Sequence, residues 1–238
     1  MTGEAGIRPA MWAIVPCKRL NRAKTRLAHV LGPAERHALA RAMLRDVLAV
    51  LTQVRGLDGV AVVTSDPEVS ALADASVALV LDDPPNADHS AAARAATAEV
   101  ARRGVRGVLI LSADVPLLTA SEVERVLAIH GGGRGVTIAT NRAGEGTNAI
   151  ACTPPDAIAL SFGRDSRRRH VRAARELGLP VRCICPPGLA LDIDTPEDLA
   201  EYKRRGGADG ALASLNPRPE GALHEGAYVG VADGGAAR

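Results

Sequence analysis

The alternation of short apolar runs with helix-period segments constrains this chain more than any other feature. The runs MWAIVP (11–16), GVAVVT (59–64), VALVL (77–81) and GVLILS (107–112) carry no charge and have the length of strands. Strands of that kind are covered on both faces, as in parallel sheets. Between them apolar residues recur at helical spacing, as in Leu39, Met43, Leu44, Val47, Leu48 and Leu51. Pro33 suits the first turn of that helix. The pattern predicts helices near 33–54, 67–73, 90–103, 119–129, 167–177 and 196–204, and later strands at 135–140, 148–152 and 181–185. This order predicts an α/β fold, a doubly wound, mostly parallel sheet with helices on both faces, Rossmann-like in architecture. One domain is expected over residues 11–205. Residues 206–238 hold eight Gly in 33 positions and no sustained period, so a flexible tail is expected there, and residues 1–10 are expected to be loose as well.

Composition removes several function classes. A net charge of +2 is small for a general nucleic-acid binder, and 2% aromatic residues leave little on which to stack bases. The four cysteines, Cys17, Cys152, Cys183 and Cys185, form no CxxC pair. A zinc site and a disulfide framework are therefore not expected, and buried thiols are. With neither a signal-peptide pattern nor 18 consecutive apolar residues, the chain is expected to be soluble and cytoplasmic, without a membrane partner.

In open α/β sheets, ligands bind beyond the carboxyl ends of the strands. The loop after the first strand carries Lys18, Arg19, Arg22, Lys24 and Arg26, which suits a polyphosphate or a solvated turn. It has neither GxxxxGK[ST] nor GxGxxG, so it is not a P-loop and does not match a dinucleotide fingerprint. Asp114, in SADVP, directly follows a buried strand, where carboxylates commonly hold Mg²⁺, although a turn hydrogen bond is the plain alternative. In LDIDTPEDL, Thr195 reads as an N-cap with Asp198 in capping-box position. That leaves Asp192 and Asp194 unexplained, on one face of an extended segment, and with Asp114 they form a candidate carboxylate site for one or two metal ions. The GEGTN loop (144–148) and the SFGRDSRRRH segment (161–170) join glycines, a hydroxyl and a helix start at Ser166, with Arg164, Arg167 and Arg168, into an anion pocket or an exposed basic face. His170 reads as a surface or packing histidine.

The ordered set VPxKxxxxxKTRLA (15–28), ADVPLL (113–118), GTNA (146–149) before a Pro-Pro turn, FGxDSxxxH (162–170) and LDIDTPEDL (191–199) resembles the CofC family, a branch of the MobA-like nucleotidyltransferases. The resemblance covers roughly residues 11 to 204. It implies GMP transfer from GTP to a phosphorylated three-carbon acid (2-phospho-L-lactate, phosphoenolpyruvate or 3-phospho-D-glycerate) with release of pyrophosphate, feeding assembly of the deazaflavin coenzyme F420. By position, Lys18, Lys24 and Arg26 would hold the GTP phosphates and Asp114, Asp192 and Asp194 would hold Mg²⁺. Thr147, Gly163 and Ser166 would bind the acid, and Lys18, Lys24 and Asp114 would carry catalysis. Arg19 and Arg22 are left facing solvent. Near the expected base pocket the chain departs from the family, with Asp88 in place of Gly and Ser90 in place of Asn. An Asp there can accept hydrogen bonds from the N1 and N2 donors of guanine, which makes Asp88 and Ser90 candidate nucleotide ligands.

Three other readings stay open on the sequence. The chain could act on another acceptor, such as a molybdopterin or a sugar phosphate, or bind a nucleotide without turnover. A dinucleotide-dependent oxidoreductase is disfavoured by the missing glycine fingerprint. A homodimer is plausible from the resemblance alone.

Overall fold

The computed structural model describes residues 10–76 and 78–205, and the terminal segments expected to be flexible lie outside them apart from residue 10. Among the described residues seven strands form one sheet: β1 Met11–Pro16, β2 Gly59–Thr64, β3 Leu79–Asp82, β4 Gly107–Leu111, β5 Gly135–Thr140, β6 Thr147–Thr153 and β7 Val181–Ile184. The helices described with them are α1 Pro33–Leu51, α2 Pro67–Ala75, α3 His89–Arg102, α4 Ala120–His130, α5 Ser166–Glu176 and α6 Pro196–Arg204. Two 3₁₀ turns, Leu20–Arg22 and Thr25–Leu27, which the sequence pattern did not indicate, shape the loop after β1.

The strand order is β3-β2-β1-β4-β6-β5-β7. Four neighbour pairs are parallel, and β6 runs antiparallel to both β4 and β5. The expectation of a mostly parallel, doubly wound sheet holds, and the mixed part has a simple cause. The short loop between β5 and β6 turns the chain straight back, so the two strands pair antiparallel and β6 is placed beside β4. Period-two alternation then divides the core. Ala13, Val15, Leu109, Leu111, Ala149 and Ala151 face the α1, α2 and α4 side. Ile14, Val108, Ile110, Ile150 and Cys152 face the α3 and α5 side.

A third, smaller cluster positions the site. Leu27 and Leu31 from the β1 loop, Leu39 and Met43 from α1, Leu191 and Ile193, and Leu199 and Tyr202 from α6 are buried together. This cluster ties the KTRLA segment to LDIDTPEDL across most of the chain. Thr195 caps α6 with Asp198 in a reciprocal capping box, as the spacing predicted.

Cys17 and Cys152 are buried, and burial pushes both thiols up to about 12. Cys183 and Cys185 are exposed instead of buried, in and just after β7, the edge strand of the sheet. Among the described residues no helix is long and apolar enough to cross a membrane.

Gly188 shows how closely the loop before LDIDTP is held. Its N–H donates to Glu122 Oε1 at 2.6 Å, and a Cβ there would collide with the Leu117 carbonyl and the Glu122 carboxylate. Gly188→Ala is expected to lower stability by about 2 kcal/mol in urea unfolding. Gly133→Ala, where a Cβ meets nothing within 4 Å, should shift it by less than about 0.5 kcal/mol.

Candidate active site

Two clefts open along the carboxyl edge of the sheet, one of about 820 Å³ and one of about 580 Å³. Ser112, Asp114 and His89 line both. Asp114 therefore stands where the clefts meet, one turn beyond the buried strand β4.

The first cleft lies between the β1 loop and the segment after β3. Leu20 pins the loop: its side chain is buried and its N–H donates to Asp66 Oδ2 at 2.9 Å. Leu27 pins the other end in the third cluster. Between these anchors Lys24 adopts a left-handed conformation, φ 55°. Among the described residues the other non-glycine positions with positive φ are Asn86 and Asp165, and all three line the clefts. Such strain persists where surroundings over-determine it. Lys18 reaches across the cleft, with Nζ 3.5 Å from Asp83 Oδ2 and donating to the Ala87 carbonyl.

The Lys24 ammonium is buried between two carboxylates, 2.6 Å from Asp114 Oδ2 and 3.0 Å from Asp194 Oδ1. Burial alone would depress its pKa, but the Asp114 and then the Asp194 carboxylate outweigh that and hold it above the ordinary lysine value. The Ile193 N–H donates to the Asp114 carbonyl at 3.1 Å, which lays the Asp192–Asp194 segment against the end of β4. Asp192 accepts from Asn148 Nδ2 at 3.1 Å, and burial, with Asp114 and Asp194 nearby, raises its pKa.

Among the described residues no group of three or more histidines, cysteines and carboxylates is gathered closely enough to hold a metal ion. The expected Asp114, Asp192 and Asp194 trio is thus not assembled as a cage: Asp114 and Asp194 share the Lys24 ammonium, and Asp192 Oδ1 accepts from Asn148. The donor chemistry still fits Mg²⁺ in part. Asp114 and Asp194 converge on one cationic point, and Mg²⁺ is usually held by one or two carboxylates completed by substrate phosphates.

Arg26, expected at the triphosphate, lines the second cleft instead, mostly exposed and 3.7 Å from Asp194 Oδ2. The 3₁₀ turn Thr25–Leu27 carries it past the Asp114 wall while Lys24 stays on the near side. The second cleft brings Thr147, Gly163 and Ser166 together with Arg142 and Arg164. Gly163 has φ 98°, a conformation that favours glycine, and its carbonyl accepts from the Ser166 N–H at 3.1 Å. The Arg167 N–H donates to the Glu145 carbonyl at 3.0 Å, locking the 144–148 loop to the start of α5. His170 is fully buried, not a surface residue; it hydrogen-bonds Thr147 and the Ser161 N–H, and burial, with Arg169 nearby, lowers its pKa to about 4.

Asp88 and Ser90, the two candidate base ligands, line neither cleft. Asp88 is the N-cap of α3, accepting from the Ala91 N–H at 2.7 Å, and Ser90 Oγ accepts from the Phe162 N–H at 2.8 Å. Their side chains serve the helix start and the second cleft's wall. The polar side chains that line the first cleft from this segment are Asp83, Asn86 and His89. Asp83 Oδ1 is buried and has no hydrogen-bond partner among the described residues. The second aspartate of LDDPP, at the end of β3, was the available signal for it.

His170, His89 and His130 all have lowered pKa values, chiefly through burial. A folded-state value below the unfolded one means that the unfolded chain binds protons first as pH falls. The stability these groups hold is complete above the unfolded value near 6.5 and is lost toward pH 4, where His170 titrates in the fold. Urea midpoints at constant ionic strength should therefore fall between pH 7 and pH 4.5, with His170 alone contributing about 2 kcal/mol. His170→Asn should flatten that dependence.

Comparison with known proteins accords with this geometry. A family model described as guanylyl transferase CofC like matches residues 11–211. A phosphoenolpyruvate guanylyltransferase of Conexibacter woesei is 40% identical over 86% of this chain and 95% of its own length. Its counterpart in Sphaerobacter thermophilus is 43% identical over 79% of this chain and 90% of its own. In fold alone, the chain resembles 4-diphosphocytidyl-2C-methyl-D-erythritol synthase of Anaerococcus prevotii, with TM-score 0.60, 9% identity and coverage of 84% and 96%. With a family model matched over most of its length and relatives 40% or more identical, the chain belongs to the CofC-like guanylyl transferase family.

Proposed function

We propose that the protein transfers GMP from GTP to phosphoenolpyruvate, or to another small phosphorylated three-carbon acid, and releases pyrophosphate. The observation that carries this reading is the meeting of two polar clefts at Asp114, one edged by Lys18 and Lys24 and the other by Thr147, Gly163 and Ser166. A transferase with two anionic substrates needs two adjoining pockets and cations at the boundary. The relatives' shared name favours phosphoenolpyruvate as the acceptor.

The reaction needs no strong base, because the acceptor phosphate is already a nucleophile. One of its oxygens bonds to the α-phosphorus of GTP, and the bond from that phosphorus to the α,β-bridging oxygen breaks, so pyrophosphate leaves with the electron pair. Catalysis is then positioning and charge neutralisation. Lys18 and Lys24 bind the triphosphate, Lys24 from its place between Asp114 and Asp194. Thr147, Ser166 and the turn at Gly163 hold the acid in the second cleft, with Arg26 and Arg164 balancing its charge. Asp114 and Asp194, with Asp192 beside them, would hold Mg²⁺, which when bound offsets negative charge on the α-phosphate and the leaving pyrophosphate. The product is an intermediate for assembly of coenzyme F420.

Pyrophosphate release, measured with Mg²⁺, each of four NTPs and each of three phospho-acids, tests this. Release is expected only with GTP, and fastest with phosphoenolpyruvate. No release from any combination would overturn the reading. Asp114→Asn should cut turnover by at least about 10³-fold while far-ultraviolet circular dichroism stays unchanged. Retained activity would remove Asp114 from the metal site.

A further inference from the structure

His170 lies behind the second cleft and is not needed as a base in the reaction above. It is nonetheless fully buried and hydrogen-bonded at both ring nitrogens. The Ser161 backbone N–H donates to Nε2 at 2.9 Å. A backbone amide can only donate, so Nε2 carries no hydrogen and the ring is neutral. A neutral imidazole with a bare Nε2 carries its hydrogen on Nδ1. That Nδ1–H points at Thr147 Oγ1, 3.1 Å away, so the hydroxyl oxygen accepts.

A hydroxyl that accepts from a fixed donor has its own hydrogen left to give elsewhere. Thr147 lines the second cleft, so the free direction is toward whatever sits there. We propose that His170 is a positioning residue of the acceptor site, whose Nδ1–H fixes the Thr147 hydroxyl as a donor to the anionic acceptor. The inference rests on the reading of this cleft as the acceptor site. An imidazole of the opposite tautomer would take the hydroxyl's hydrogen and turn a lone pair toward the anion. The hydrogen-bond chain from Ser161 N–H through the ring to Thr147 thus sets the polarity that Thr147 presents to the cleft, beside the charges of Arg26 and Arg164.

The surroundings hold this tautomer in place. Phe162 packs edge-on against the His170 ring with centroids 5.3 Å apart. The Arg169 guanidinium donates to Ser161 Oγ at 2.8 Å and to the Phe162 carbonyl at 2.9 Å, fixing the turn that presents the Ser161 N–H. Arg169 is also the charged group whose proximity, after burial, disfavours protonation of the ring.

Two variants separate the functions of the ring's nitrogens. His170→Asn puts an amide N–H near the Nδ1 position and can still donate to Thr147. His170→Gln puts its amide near the Nε2 position, so it can accept from Ser161 but leaves Thr147 without its donor. The expected result is a KM for phosphoenolpyruvate raised about tenfold in His170→Gln, with the KM for GTP unchanged and His170→Asn recovering most of the loss. Equal effects of the two variants on both substrates would overturn the proposal, as would no effect of His170→Gln. Thr147→Val should raise the same KM, and adding His170→Gln to it should cost nothing further; independent, multiplying effects would contradict the coupling. ¹⁵N NMR of the histidine rings gives a reading that does not depend on activity. A protonated Nδ1 and bare Nε2 at His170 are expected, and a protonated Nε2 would overturn the proposal even if no acid were guanylylated, an outcome that by itself would count only against the proposed function.

Discussion

The Lys24 ammonium, lodged between Asp114 and Asp194, is the interaction on which the site depends. The two carboxylates stand 90 and 170 residues away along the chain, so this one cation joins the β1 loop, the end of β4 and the approach to α6. A buried ammonium without partners costs several kcal/mol. With two carboxylates it is held, and it stays charged well above neutral pH. The backbone yields to it: Lys24 takes a left-handed conformation at a cost of roughly 1–2 kcal/mol, which the two ion pairs and the buried Leu20 and Leu27 on either side offset.

That arrangement needs the sheet to be mixed. The β5–β6 hairpin inserts β6 beside β4, so the Ser112 N–H donates to the Asn148 carbonyl at 2.8 Å and Asn148 in turn reaches Asp192. A purely parallel sheet would place a helix crossover there instead. The antiparallel strand therefore does two things at once. It carries Thr147 and Asn148 to the wall of the second cleft, and it leaves Asp114 exposed to both clefts. The Leu27, Ile193 and Tyr202 cluster then closes the far side, fixing how closely the cations of the β1 loop can approach the late aspartates.

Much of this was legible in the sequence. Uncharged apolar runs located β1, β2, β4 and β5 because strands buried on both faces tolerate no charge. The Thr195–Asp198 capping box was legible because it depends on neighbours only. What was not legible depended on distant contacts. Asp88 read as a base ligand, yet its carboxylate caps α3, a local use that a substitution of Gly by Asp at a helix start also suggests. The family resemblance groups Arg26 with Lys24, and a 3₁₀ turn carries the two residues to different clefts. His170 reads as either a surface or a packing histidine because a lone histidine in a basic segment carries no periodic signal; its contacts with Phe162 and Thr147 make it the packing kind. Cys183 and Cys185 read as core thiols because edge position in a sheet is set by topology, not by local pattern.

The central claim is that both substrates meet at Asp114 and react directly, with no covalent enzyme intermediate. Stereochemistry at the α-phosphorus tests it most directly. With a single diastereomer of GTP bearing sulfur on the α-phosphate and with phosphoenolpyruvate as acceptor, one in-line displacement inverts the configuration in the product. Inversion is the predicted result. Retention would mean two displacements through a guanylylated residue, and would contradict an active site in which Lys24 and Asp114 only position and neutralise.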